Sequence, residues 1–186
     1  IAEMQINYTD GSHELIITDQ SWSVRKSNIL ESDIYDGEVY DASIVPGPYE
    51  EVKVVDLTKD TLIPQEGEII CEQERIKPMA YLVSPKGERI IDFGQNLAGY
   101  VELTLDAPKG TKISLSHAEI LDKDGNFYTD NYRSSKSKLT YICKEGKQVY
   151  KPHFTFYGFR YIRLDEYPEE VDLNNFTAIA VYSDLK

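Results

Sequence analysis

No segment of this chain keeps apolar residues at helical spacing for long; alternation with a period of two dominates instead. Leu15–Ile17, Val101–Leu105, Lys112–Ser116, Leu139–Cys143 and Tyr161–Leu164 each read as a strand. The pairs Asp10-Gly11, Lys86-Gly87, Lys109-Gly110, Asp124-Gly125 and Glu145-Gly146 read as tight turns, because glycine accepts the backbone angles a hairpin demands. Many short strands at regular spacing predict an all-β chain of antiparallel, jelly-roll-like sandwiches. The stretch from Ile44 to Pro64 is different: Pro46, Gly47 and Pro48 precede a short β-rich run, Val52–Val55, which predicts an edge strand and a connection. The boundary between two domains is therefore expected near Pro64 to Glu68. Residues 64–186 read as one complete sandwich. Residues 1–63 read as the later part of a second β domain, whose opening strands are missing or supplied otherwise.

The chain is acidic, with a formal net charge of −12 over 186 residues. That balance argues against nucleic acid or an anionic membrane surface as a partner, since both favour basic patches. No run of about 18 apolar residues is present. The start at Ile1, with no leader pattern, reads as a processed or excised fragment. Cys71 and Cys143 form no CxxC pair, so a thiolate zinc site is not expected, and two reduced thiols in or near a core are preferred over one disulfide. Sparse cysteine leans toward a cytoplasmic compartment.

Several runs carry polar chemistry. Asp92-Phe93-Gly94-Gln95-Asn96 reads as a loop between two strands, aimed at a ligand or neighbouring domain, or else as a buried network holding the strands in register; the second is preferred. His117 and Glu119 share a strand face and are expected to form a hydrogen-bonded pair rather than a metal site, because no third ligand is evident. Asp122-Lys123-Asp124-Gly125-Asn126 has the wrong spacing for a calcium loop and reads as a hairpin. Tyr35 to Asp41 concentrates three carboxylates, with Asp36 and Glu38 on one face. These suit calcium or sugar hydroxyls, or a charged edge that resists strand addition.

Sugar sites use aromatic faces, and Trp22 is the best single candidate, although a lone tryptophan in a β domain is more often a core filler. The cluster Phe154, Phe156, Tyr157, Phe159 and Tyr161 reads as core, with a bulge at Gly158. Glycosidases place two carboxyls about 5 to 9.5 Å apart across one bond, one of them raised in pKa. None of the acidic residues here sits in a sequence context that forecasts such burial, and no nucleophile elbow or phosphate loop is present.

In order along the chain stand Thr18-Asp19 with Trp22, then Asp36-Gly37-Glu38 with Tyr40-Asp41. Asp92 to Gly99, His117 to Glu119, Asn131-Tyr132-Arg133 and Tyr150 to Tyr161 follow. This series resembles the non-catalytic N-terminal region of bacterial α-L-rhamnosidases, glycoside hydrolase family 78. Ser43 stands where the family often has arginine. The resemblance implies that residues 1–63 close the N-terminal domain and residues 64–186 form the following β-sandwich. It implies a parent enzyme that releases terminal L-rhamnose with inversion, its catalytic glutamates on an (α/α)6 barrel that this chain does not hold. The expected partners are that barrel and a rhamnose-containing glycan. Some members carry a calcium-dependent rhamnose-binding module, which motivates Trp22, Asp36, Glu38 and Asp41 as candidate sugar-binding residues with calcium as an optional cofactor. A stand-alone rhamnose-binding module and a structural or interaction domain are the alternatives.

Overall fold

The structure, a computed structural model, describes residues 2–58 and 60–184. Among them are sixteen strands and two short 3-10 helices, and no α-helix. The chain divides into two compact units, Ile1–Ser27 with Pro46–Glu66, and Asn28–Val45 with Gly67–Lys186. Strands β1 (Glu3–Asn7), β2 (His13–Ile17) and β3 (Ser23–Val24) open the smaller unit. Strands β4 (Ile29–Asp33) and β5 (Gly37–Asp41) belong to the larger one; β6 (Glu50–Glu51) returns to the smaller and pairs with β3.

In the smaller unit β1 and β2 form an antiparallel hairpin around Asp10-Gly11. The Asp10 carboxylate accepts the Ser12 amide at 2.9 Å, the local bond that lets aspartate close such a turn. The expected strand at Val52–Val55 is not formed; only the preceding Glu50 and Glu51 join a ladder. Among the described residues of this unit none is buried, and Met4, Leu15, Trp22, Val54 and Ile63 are exposed.

The larger unit continues with β7 (Ile70–Ile76), β8 (Ala80–Val83), β9 (Arg89–Ala107), β10 (Lys112–Ala118), β11 (Ile120–Leu121) and β12 (Phe127–Tyr128). It ends with β13 (Lys138–Ile142), β14 (Gly146–Tyr150), β15 (Tyr157–Glu166) and β16 (Phe176–Ser183). One curled sheet runs β4-β5-β13-β10-β15-β9-β16-β7, with β8 and β14 also paired to β9. The hairpin of β11 and β12 stands off it. The ladders are antiparallel as expected, with one exception. β5 lies parallel to β13, from Gly37 opposite Lys138 to Asp41 opposite Ile142, so the sheet is mixed. Parallel neighbours need a long connection, and nearly a hundred residues of chain separate these two strands.

Alternation along β9, β10, β13 and β15 drives one set of side chains inward. Val101, Leu103, Ile113, Leu115, Leu139 and Ile162 are each at most 1% exposed. Each such burial stabilises the fold by roughly 1.5–3 kcal/mol. Most of β10 is covered on both faces, so its polar residues need partners: the Ser116 hydroxyl donates to Asp165 at 2.6 Å, and Ser114 and Thr140 share a bond. Both cysteines are free thiols. Cys143 is buried, which pushes its pKa up to about 11, whereas Cys71 is exposed rather than in a core.

The parallel seam depends on Gly37. Its φ is +107°, and an added Cβ would stand 1.9 Å from the Lys138 carbonyl oxygen. Gly87, in the turn before β9, has φ +81° but nothing within 4 Å of where a Cβ would stand. Gly37→Ala is therefore expected to cost roughly 2–4 kcal/mol, from strain and displacement of β13. Gly87→Ala is expected to cost about 1 kcal/mol, from backbone strain alone. Urea unfolding of the two variants checks the difference; equal losses would contradict it.

Candidate functional site

Several of the sequence motifs meet within the larger unit. Asp92-Phe93-Gly94-Gln95-Asn96 is not a loop between two strands but a wide bulge inside the single long strand β9. Leu97 pairs with Phe159 and Asp92 with Tyr161, so the four residues Phe93 to Asn96 stand against Arg160 alone. The bulge lies here rather than at Gly158. Arg160 closes the gap: its Nε and Nη2 donate to Asp92 Oδ1 and Oδ2, both at 2.8 Å. The Gly94 amide donates to the same carboxylate at 2.6 Å. The Arg160 bonds, followed by the Gly94 amide, hold the Asp92 pKa below the usual carboxylate range, against the opposing effect of burial. The preferred reading of this run, a network holding chain segments in register, describes what it does.

Asn96 ends the bulge and donates to Glu119 Oε1 at 3.3 Å, while Asn131 donates to Glu119 Oε2 at 3.2 Å. Tyr132, beside Asn131, donates its hydroxyl to the Gly158 carbonyl at 2.6 Å. Glu119 lies against Gly158, where an added Cβ would stand 3.1 Å from Glu119 Oε1. Ser135 bonds the Tyr35 carbonyl, and the Ser137 amide donates to it as well. Arg133 and Ser137, the two non-glycine residues with positive φ among those described, both lie in this loop. Fragments separated by more than a hundred residues thus share one surface.

The expected His117–Glu119 pair does not form. β10 ends at Ala118, and the two side chains go to different partners. His117 is fully buried, stacked on Tyr157 at a centroid distance of 3.8 Å and edge-on to Phe159. Its Nδ1 lies 2.8 Å from the Ser137 carbonyl, which can only accept, so Nδ1 carries the proton. Nε2 has no partner among the described residues. Burial lowers the His117 pKa to about 4.

Two aromatic expectations also change. Phe154 is 73% exposed and Phe156 44%, so only Tyr157 and Phe159 of that cluster are buried core, with Tyr161 half-buried. Trp22 is not a core filler: it is 47% exposed, donates Nε1 to the Ile17 carbonyl at 3.0 Å, and lines a 330 Å³ groove with Val24 and Val52–Val55. The hairpin expected at Asp122–Asn126 is present, with Asp122 Oδ1 accepting the amides of Asp124 and Asn126.

The four candidate sugar-binding residues divide between the units, Trp22 in the smaller and the three carboxylates in the larger. Asp36 forms an ion pair with Lys136 at 2.7 Å, and this bond holds its pKa below the usual range. Glu38 is 1% exposed; it accepts the Tyr150 hydroxyl and, at 2.9 Å each, the His153 amide and Nδ1. Asp41 accepts the Ser43 amide at 2.8 Å. Three carboxylates with three separate internal partners do not fit a shared calcium ion. No group of three or more His, Cys, Asp or Glu among the described residues is arranged to hold a metal. Sequence reasoning passed over Asn96, Asn131 and Tyr35 as a joint site; only the recurrence of short polar motifs hinted at it.

The larger unit is a curled, all-β domain, and known families give its class. Residues 83–182 match the bacterial α-L-rhamnosidase concanavalin-like domain, and residues 1–74 match the α-L-rhamnosidase N-terminal domain. The chain belongs to the α-L-rhamnosidase family. An α-L-rhamnosidase of Streptomyces avermitilis is 30% identical over 98% of this chain and 19% of its own length. One from Alteromonas sp. (strain LOR) is 31% identical over 91% of this chain and 20% of its own length. The chain thus spans about a fifth of these curated relatives. Among solved structures, the native α-L-rhamnosidase of Aspergillus terreus superposes with a TM-score of 0.85 at 30% identity, over 99% of this chain and 23% of that one. The Streptomyces avermitilis enzyme complexed with L-rhamnose gives 0.83 at 28% identity, over 98% and 19%.

The buried imidazole makes stability pH-dependent. A folded-state pKa lowered from about 6.5 to about 4 means that the unfolded chain takes up a proton before the folded one. Stability from this group is full above pH ~6.5 and falls as the pH drops toward 4. His117→Phe keeps the ring stack and is expected to lose part of this slope between those pH values. Urea midpoints measured across the range check it; an unchanged slope would contradict it.

Proposed function

We propose that this chain is the accessory, non-catalytic N-terminal region of an α-L-rhamnosidase. The parent enzyme hydrolyses terminal L-rhamnose from glycosides with inversion, using carboxyls on an (α/α)6 barrel elsewhere in the polypeptide. Residues 1–74 match its N-terminal domain and residues 83–182 its concanavalin-like domain.

These two family matches carry the reading, and the carboxylates agree with it. A glycosidase needs one carboxyl kept protonated by a raised pKa. Asp36, Glu72, Glu88, Asp92, Asp122 and Asp165 are all shifted the other way by hydrogen bonds and neighbouring cations. Such carboxylates are held ionised and spent on structure. The 186-residue chain, purified and incubated with an aryl α-L-rhamnoside, is expected to give no turnover above buffer. Reproducible turnover would overturn the reading.

A second reading, a stand-alone rhamnose-binding module, is favoured by the exposed Trp22 and the apolar groove beside it. An aromatic face of this kind suits the C–H face of a pyranose. On that reading Trp22→Ala weakens binding of L-rhamnose, whereas Asp36→Ala acts mainly through loss of Lys136.

A further inference from the structure

The larger unit holds a hollow of about 280 Å³, walled by Ile34, Tyr35, Tyr132 and Phe156 and floored by Tyr157 and Gly158. Tyr35 is 70% exposed, and Ile34 and Phe156 are each nearly half exposed. Such apolar area left in water costs free energy unless something covers it. The volume is close to the lower end of small-molecule pockets, about 300 Å³. That is room for one sugar ring.

The adjoining polar group is unusually well placed. Glu119 rests against Gly158, and each of its oxygens receives one amide, from Asn96 and from Asn131. An ionised carboxylate offers about four lone-pair sites, so two donors leave others open while fixing its orientation. A fixed carboxylate accepts hydroxyl hydrogens from adjacent carbons of a sugar. Gly158 is the residue that lines the hollow and also adjoins Glu119, which stands just outside the lining. The strained backbone at Arg133 and Ser137 belongs to the loop that brings Asn131 and Tyr132 to this place.

We propose that this hollow is a binding subsite for a neutral pyranoside, its C–H face covered by Tyr35 and Phe156 and its hydroxyls donating to Glu119. The negative charge of Glu119, on a chain of net charge −12, disfavours uronates. The choice of rhamnose as probe rests on the accessory role proposed above; the site itself rests on the geometry.

The test is an amide-detected NMR titration of the 186-residue chain with L-rhamnose, and separately with D-galacturonate. Shifts are expected around Tyr35, Glu119, Tyr132 and Phe156 with rhamnose only. Tyr35→Ala, at an exposed side chain, is expected to weaken binding roughly tenfold, and Glu119→Gln by a similar factor. The absence of shifts up to about 50 mM rhamnose would overturn the proposal. So would equal binding of galacturonate, or shifts confined to the Trp22 groove that Tyr35→Ala leaves unchanged. Each of these failures leaves the accessory role standing, because that role is decided by turnover.

Discussion

The bidentate bond between Arg160 and Asp92 is the constraint on which this part of the larger unit depends. An extra stretch of four residues in one strand against one residue in its neighbour leaves a gap in the ladder. Backbone groups facing such a gap lose their partners, and unpaired groups away from water are costly. The guanidinium spans the gap with two donors in the fork geometry that a carboxylate matches. Lysine offers a single point charge and does not reproduce it. With the gap closed, the side chain of Asn96, still within β9, reaches Glu119. The orientation of the surface carboxylate is thus inherited from a half-buried ion pair.

A comparable linkage operates at the parallel seam. Gly37 lets β5 lie close along β13, and the next residue, Glu38, sends its carboxylate inward to Tyr150 and His153. Tyr40, one turn of the pleat further on, stacks on His153 with rings 5.3 Å apart and 13° from parallel. A buried carboxylate with three donors is stable because its charge is shared among them; with fewer it would be a liability. The acidic run at Asp36 to Asp41 is therefore less a cluster than a set of separate attachments, Asp36 to Lys136, Glu38 to Tyr150 and His153, and Asp41 to Ser43.

The all-β class and the turns at Asp10-Gly11, Lys86-Gly87, Lys109-Gly110 and Asp124-Gly125 were legible because they depend on local rules, alternation and the few dipeptides that turn a chain; Gly146 instead opens β14, which pairs with β9. Family membership was legible from the order of short motifs, and both family matches agree with it. What was not legible depends on pairing. Residue period alone put His117 and Glu119 on one face, but β10 stops between them and each finds its own partner. Phe154 and Phe156 looked like core because they are large and alternate; nothing local reveals that no layer lies over them. The bulge at Phe93 to Asn96 was read as a loop because its composition is that of a loop, and only the register with β15 distinguishes the two. The assembly around Glu119 was invisible for the same reason, since its members are joined by topology.

The path of the backbone between the two compact units has a consequence for how the protein can be divided. The chain leaves the smaller unit after Ser27, spends Asn28–Val45 in the larger, returns at Pro46, and departs again after Glu66. Three junctions connect them where a simple tandem arrangement has one. A single cut near residue 64 would not free a whole domain: it would strip β4 and β5 from the sheet edge and take Glu38 away from His153. The chain interleaves the two units in sequence. Recombination between relatives, or a graft onto another enzyme, must carry both stretches together or rebuild the edge that is lost.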